Sequence, residues 1–367
     1  MKVAIITTIR HNVGDDFARD GIIYLLKQYF KNQELHFQNI HKHAPITVRY
    51  GFENFRSRIV STMLDVIPYS ISKDRILEAD LVVQSGAPVY WCNGWRWGAH
   101  CAHNEWYHGL IKKRFCRNPR AKLLNLGAGS CQRYHSDGLD FCSRCQRYIK
   151  EFFETAAVTT VRDKLAKEIL NSIGLDAPVI PCPSIFMSDQ HGATSGEEEY
   201  VVLNYMDGGG HYIFGRNIDR DKWKKEFVKF YYELKKHDNV RFVCHDRKEI
   251  QEAKKLDQQA DVFYSNDYLD YIDFYSRAKF GIVSRVHGAF VMASFGKPAV
   301  VIGNDSRAKM VSEIGLENFF VNKVNSELLM QQYEYLKNGA NNFIERFKVL
   351  KQKAYNDYMK ALSVLPR

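Results

Sequence analysis

Along this chain, short apolar runs alternate with longer stretches in which apolar residues recur every three or four positions. The runs suit strands buried on both faces, the stretches suit amphipathic helices, and their alternation predicts parallel βαβ units. Residues 3–8 form the first strand, and 17–30 follow with helical periodicity carried by Ile22, Ile23, Leu25, Leu26 and Tyr29. Further strands are expected at 79–84, 122–126, 158–161 and 179–182. The last of these is bounded by Pro181 and Pro183, and a helix at 164–173 is closed by Gly174. Residues 188–199 are polar, with Gly192, Ser195 and Gly196, and read as a linker. The alternation then restarts: a strand at 200–205, a helix at 221–236, strands at 240–244 and 262–264, and a helix over 325–360. The pattern predicts an α/β protein with an N-terminal domain at 1–187, the linker at 188–199, a second domain at 200–345 and a C-terminal helix at 346–367. Two Rossmann-like domains facing a cleft, the GT-B-like architecture, are the expected fold.

Bulk properties narrow the function classes. The composition, 45% hydrophobic and 26% charged, is that of a globular protein. No apolar stretch approaches the length of a bilayer span, and the first residues read as a strand rather than a signal peptide. A cytoplasmic location is expected, extending to the inner face of the membrane. The formal charge is +10. No zinc-finger spacing or aromatic RNA-binding run accompanies it, so nucleic acid is not the expected partner. Anionic small substrates would suit that charge.

Chemistry concentrates in residues 280–316. An apolar run ends in Ser284, Arg285, Val286, His287 and Gly288; an apolar helical stretch, Gly296 and Pro298 follow, and a second buried run closes at Gly303, Asn304 and Asp305. This reads as strand–helix–strand, with Arg285 and His287 just beyond a strand's carboxyl end, where open α/β sheets bind ligands. An arginine can grip a phosphate or carboxylate with two hydrogen bonds, and a histidine can move a proton near neutral pH. Arg162 ends another strand and suits an anion clamp; a salt bridge or capping role is the alternative. Asp163 suits the N-cap of the next helix. Gly208, Gly209, Gly210 and His211 follow the first strand of the second domain and suit close approach to a phosphate or sugar, or a plain surface turn.

Six of the eight cysteines lie between Cys92 and Cys145, interleaved with His100, His103, His108 and His135. Cys142 and Cys145 have zinc-knuckle spacing, and with Cys131 form a candidate structural zinc site whose fourth ligand would come from Cys92, Cys101, Cys116 or a histidine; reduced thiols are the alternative. The stretch 90–108 is rich in Trp, Tyr and His, which can stack on sugar rings or pack in a core.

The block of Arg285, His287, Gly288, Gly296, Pro298 and Asp305 resembles the polysaccharide pyruvyl transferases, which carry an R-x-H-A/G signature, a small-residue helix, G-x-P, a buried strand and an aspartate. Asn12, Gly14 and Asp15 are similar to the family's N-x-G-D, Gly127 and Gly129 to its G-x-G, and Arg162 and Asp163 to its R-D. Ser85 and Gly86 stand where the family has a glycine-rich loop, of which this chain keeps one glycine; Cys182 stands where the family often has an acidic residue. The resemblance implies transfer of pyruvate from phosphoenolpyruvate to sugar hydroxyls of a polysaccharide or its lipid-linked precursor, with no cofactor needed for catalysis. It implies His287 as acid/base, Arg285 as an anion ligand or orienting group, and Arg162 as an anion clamp. Asn304, Asp305 and Lys309 follow the last strand of the block, where Lys309 would add positive charge for the donor or simply stand exposed. A nucleotide-sugar glycosyltransferase, with Arg285 and Lys309 on a diphosphate, is the competing expectation.

Overall fold

The structure, a computed structural model, describes residues 1–8, 12–42, 47–48, 72–73, 76–92, 109–138, 141–210 and 218–366. The N-terminal half runs β1 (Lys2–Thr7), α1 (Val13–Tyr29), β2 (His36–His41), the short strands β3 (Thr47–Val48) and β4 (Ser72–Lys73), β5 (Leu81–Ser85), β6 (Pro88–Tyr90), α2 (Gly109–Cys116), β7 (Lys122–Ser130), α3 (Ser143–Thr155), β8 (Ala156–Val161) and α4 (Lys164–Ser172). Its main sheet is ordered β2-β1-β5-β7, with β8 on β7 and β6 pairing the far end of β7; every pairing is parallel. All five residues of β5 and eight of the nine in β7 are buried. That explains their uninterrupted apolar character.

A 3-10 turn (Pro183–Phe186) and α5 (Met187–His191) lead into the second half. There β9 (Tyr200–Asn204), α6 (Arg220–Leu234), β10 (Val240–Val243), α7 (Arg247–Leu256), β11 (Val262–Phe263), α8 (Asp270–Ser276), β12 (Ala278–Val283), α9 (Val286–Ser294), β13 (Ala299–Gly303), β14 (Asn318–Phe320) and α10 (Ser326–Leu362) follow. The sheet order is β11-β10-β9-β12-β13-β14, all parallel. Both sheets are doubly wound, so each has a switch point where connections run in opposite directions and open a crevice at the carboxyl ends of the strands. These crevices fall between β1 and β5 in the first domain and between β9 and β12 in the second.

The two domains meet closely. Phe17, Ala18 and Leu25 of α1 belong to the hydrophobic cluster that fills the second domain. The Phe17 ring stands edge-on to His245, Tyr271 and Tyr275. The loop after β13 pairs with the loop after β7, where Ser306 N donates to the Gln132 carbonyl (2.9 Å) and Gln132 N to Ser306 Oγ (2.9 Å).

Two expectations change. Residues 179–182 form no strand: one bridge joins Val179 to Val161, and Pro181 and Pro183 deprive the segment of donors for a ladder. The division at residue 345 falls inside α10, one 37-residue helix capped at its start by the Asn325 side chain. Its last residues return to the first domain, where Leu362 and Leu365 pack with Val3, Ile5 and Leu26.

Candidate functional site

The first-domain crevice is built from the turn into α1 and the ends of β5, β7 and β8. Asn12 caps α1, its Oδ1 accepting from Gly14 N (3.1 Å). Asp15 is buried and accepts a hydrogen bond from Thr8 Oγ1. Ser85 Oγ donates to the Ile6 carbonyl (3.1 Å), tying β5 to β1. Gly127 N donates to Thr160 Oγ1 (2.8 Å). Asp163 caps α4 as expected, accepting from Ala166 N (2.7 Å), and also takes Ser130 N (2.9 Å) and Ser130 Oγ (2.7 Å).

Arg162, 1% exposed, reaches from the end of β8 into the crevice. One of its terminal nitrogens, Nη1, donates to the Gly86 carbonyl and also lies 3.6 Å from Cys182 Sγ. Gly129 is bare where the guanidinium passes: a β-carbon there would stand 2.5 Å from Arg162 Nε. That Nε is buried without a hydrogen-bond partner.

His287 crosses from the second domain to meet it. Arg162 Nη1 is 3.1 Å from His287 Nε2. A guanidinium can only donate, so Nε2 is the acceptor and the ring proton sits on Nδ1. Burial holds the imidazole pKa well below its usual value, and Arg162, Arg307, His245 and Arg285 push the same way. His287 is therefore a neutral base held by a cation, over the Gly14 turn: a β-carbon on Gly14 would lie 2.3 Å from Nδ1.

Arg285 does not share a face with His287. It is the N-cap residue of α9, outside the strand, while His287 is already helical, which ends strand alternation. Its side chain turns into the second domain, where Nε donates to Glu249 Oε1 (2.6 Å) and a terminal nitrogen to Asp246 Oδ2 (2.7 Å). Burial works against its charge, and the two carboxylates more than offset that. Arg285 thus fixes the start of α9, and with it His287, rather than lining the crevice.

Other expected residues divide similarly. Asn304 Nδ2 donates to the Gly208 carbonyl (2.9 Å), leaving a buried Oδ1 without a partner. Asp305 is committed to Arg307, whose Nε (2.9 Å) and a terminal nitrogen (2.6 Å) donate to it. Lys309 lies over the Tyr134 ring at the domain junction, 5.1 Å from its centroid. Gly209 is left-handed (φ 72°) and would meet Val321 with a β-carbon, so it serves the loop's packing. His211 lies outside the described residues, as do Cys101, His100, His103 and His108.

The expected metal set is corrected. The sulfurs of Cys92, Cys142 and Cys145 lie within 4.8 Å of one another; Cys131 is not among them. Cys131 is buried beside the Arg162 and Arg307 region, and burial raises its thiol pKa. Spacing could single out the pair Cys142 and Cys145; Cys92, about fifty residues away, is recruited by the end of β6.

Residues with no sequence signal also appear. Ser284 Oγ and Gln132 Nε2 are buried without hydrogen-bond partners near the ends of β12 and β7. Together with Arg162 Nε and Asn304 Oδ1 they are polar atoms a ligand could satisfy.

Residues 12–306 match the family described as polysaccharide pyruvyl transferase. The chain belongs to that family. Membership makes it a transferase, with a pyruvate donor and a glycan acceptor. No curated protein matches the chain. Among solved structures, the fold is similar to UDP-bound MnaA from S. aureus (12% identity, 94% of this chain and 90% of that one, TM-score 0.55). It is also similar to the UDP-GlcNAc 2-epimerases of Methanocaldococcus jannaschii (13%, 97% and 100%, 0.51) and Neisseria meningitidis (9%, 99% and 100%, 0.51). At these identities the likeness is one of fold, the GT-B-like pair of Rossmann domains. Among the described residues of this pyruvyl transferase family member, no helix is long and apolar enough to cross a membrane.

Proposed function

We propose that this chain transfers pyruvate from phosphoenolpyruvate to two hydroxyls of one sugar, forming a cyclic ketal on a polysaccharide or its lipid-linked precursor. The observation that carries the reading is the contact between Arg162 and the neutral His287 across the crevice (3.1 Å). A lipid-linked acceptor would place the reaction at the inner face of the cytoplasmic membrane.

The donor carries a carboxylate and a phosphate. Its negative charge would relieve the repulsion that Arg162 and Arg307 exert on a protonated His287. Donor binding would therefore raise the His287 pKa and bring a proton to the ring. Protonated His287 then delivers that proton to the methylene carbon, leaving an oxocarbenium-like centre at C2 stabilised by the bound carboxylate. A sugar hydroxyl adds to C2 and returns its proton to His287. Phosphate departs as the C2–O bond breaks, balanced by Arg162, and takes the proton released when the second hydroxyl closes the ketal. No metal or nicotinamide enters this scheme.

The test measures thermal stabilisation by phosphoenolpyruvate and by nucleotide sugars, then phosphate release with a glycan acceptor. Phosphoenolpyruvate should raise the melting temperature by mass action. His287→Gln should keep that shift and lose ~10²–10⁴ in turnover, the usual contribution of a proton-transfer group. Stabilisation by a nucleotide sugar with indifference to phosphoenolpyruvate would instead move the chain to the glycosyltransferases.

A further inference from the structure

We propose that Cys92, Cys142 and Cys145 bind a structural zinc ion. Their sulfurs lie within 4.8 Å of one another, as in a group that shares one ion. Among the described residues, theirs is the only group of three or more cysteine, histidine or acidic side chains so placed.

The local structure suits sulfur ligands. Cys142 occupies the N-cap of α3, where Ser, Thr, Asp or Asn would ordinarily cap the helix, and its sulfur makes no capping hydrogen bond. The first turn of α3 contains no acidic residue. Cys142 N points at Cys92 Sγ (3.4 Å), the backbone hydrogen bond that supports a metal-bound thiolate from outside its coordination shell. Cys145, one turn on, is fully buried, and Cys92 is 6% exposed. A zinc ion would neutralise the charge of the buried thiolates that hold it.

Soft sulfur donors favour zinc over magnesium or calcium. Three thiolates leave one tetrahedral position, which the described residues do not fill. The ion would tie the end of β6 to the start of α3, at the carboxyl edge of the first sheet.

The experiment is elemental analysis of untagged full-length protein, purified under reducing conditions without chelator. Near-stoichiometric zinc is expected. Cys142→Ser and Cys92→Ser should each lower retained zinc at least ~10-fold, while Cys131→Ser and Cys116→Ser leave it unchanged. Should the serine variants fail to fold, cobalt exchanged into the native protein supplies the reading: a thiolate-to-cobalt charge-transfer band is expected. Zinc-free native protein, iron in place of zinc, a disulfide between any two of the three cysteines, a cobalt spectrum without sulfur bands, or dependence on Cys131 overturns the proposal.

Discussion

A β-carbon on Gly14 would stand 2.3 Å from His287 Nδ1 and 3.0 Å from its Cγ. The helix and the imidazole belong to different domains, so this one missing methyl sets how closely the crevice closes on its base. Gly14→Ala separates function from stability. Alanine favours a helix over glycine by about 1 kcal/mol, so the melting temperature should hold. The His287 ring must move, and a displacement near 1 Å costs on the order of 10²-fold in turnover. Unchanged turnover would show that the position of His287 does not matter. The sequence marked both residues, one as a turn glycine and one as a strand-end histidine. Their contact was not legible, because it joins positions about 270 residues apart.

Between elements, Arg285 fastens the first turn of α9 to that of α7. Its partners Glu249 and Asp246 lie 36 and 39 residues earlier. Asp246 also caps α7, accepting from Glu249 N (3.0 Å), and the Glu249 side chain is only 2% exposed. Removing the arginine leaves that carboxylate buried without its cation. Arg285→Ala should therefore cost roughly 3–5 kcal/mol in denaturant unfolding, and turnover should fall because α9 carries His287. If stability were unchanged while donor affinity fell, Arg285 would be a ligand after all. The β12–α9–β13 unit was legible from its apolar runs, Gly296 and Pro298. The destination of Arg285 was not, since a strand-end arginine can turn to a ligand or a carboxylate and periodicity does not choose.

Across the molecule, α10 is the element that binds the halves. It starts beside the second domain, and Tyr358 Oη reaches the Pro181 carbonyl (3.0 Å) at the crossing. Beyond it, Tyr29 Oη of the first domain holds the Leu365 carbonyl (2.7 Å). Leu362, fully buried, fills a first-domain core that the preceding chain would otherwise leave open. Leu362→Ala should cost about 2–5 kcal/mol, and both domains should lose stability in one transition. Two separate transitions, with only the first shifted, would mean that the helix end does not couple them.

The sequence by itself determined the parallel α/β class, the order of most strands and helices, and the segments that could carry chemistry. Those properties live in local patterns: apolar runs, helical spacing, capping residues, glycines and prolines. Only the tertiary structure decided which candidates meet. It placed Arg162 against His287, turned Arg285 and Lys309 elsewhere, chose Cys92 over Cys131 for the sulfur cluster, and carried α10 back to the first domain. These outcomes depend on how two sheets, each with its own switch point, pack about α1, and that packing brings together residues whose separation along the chain says nothing about their distance in space.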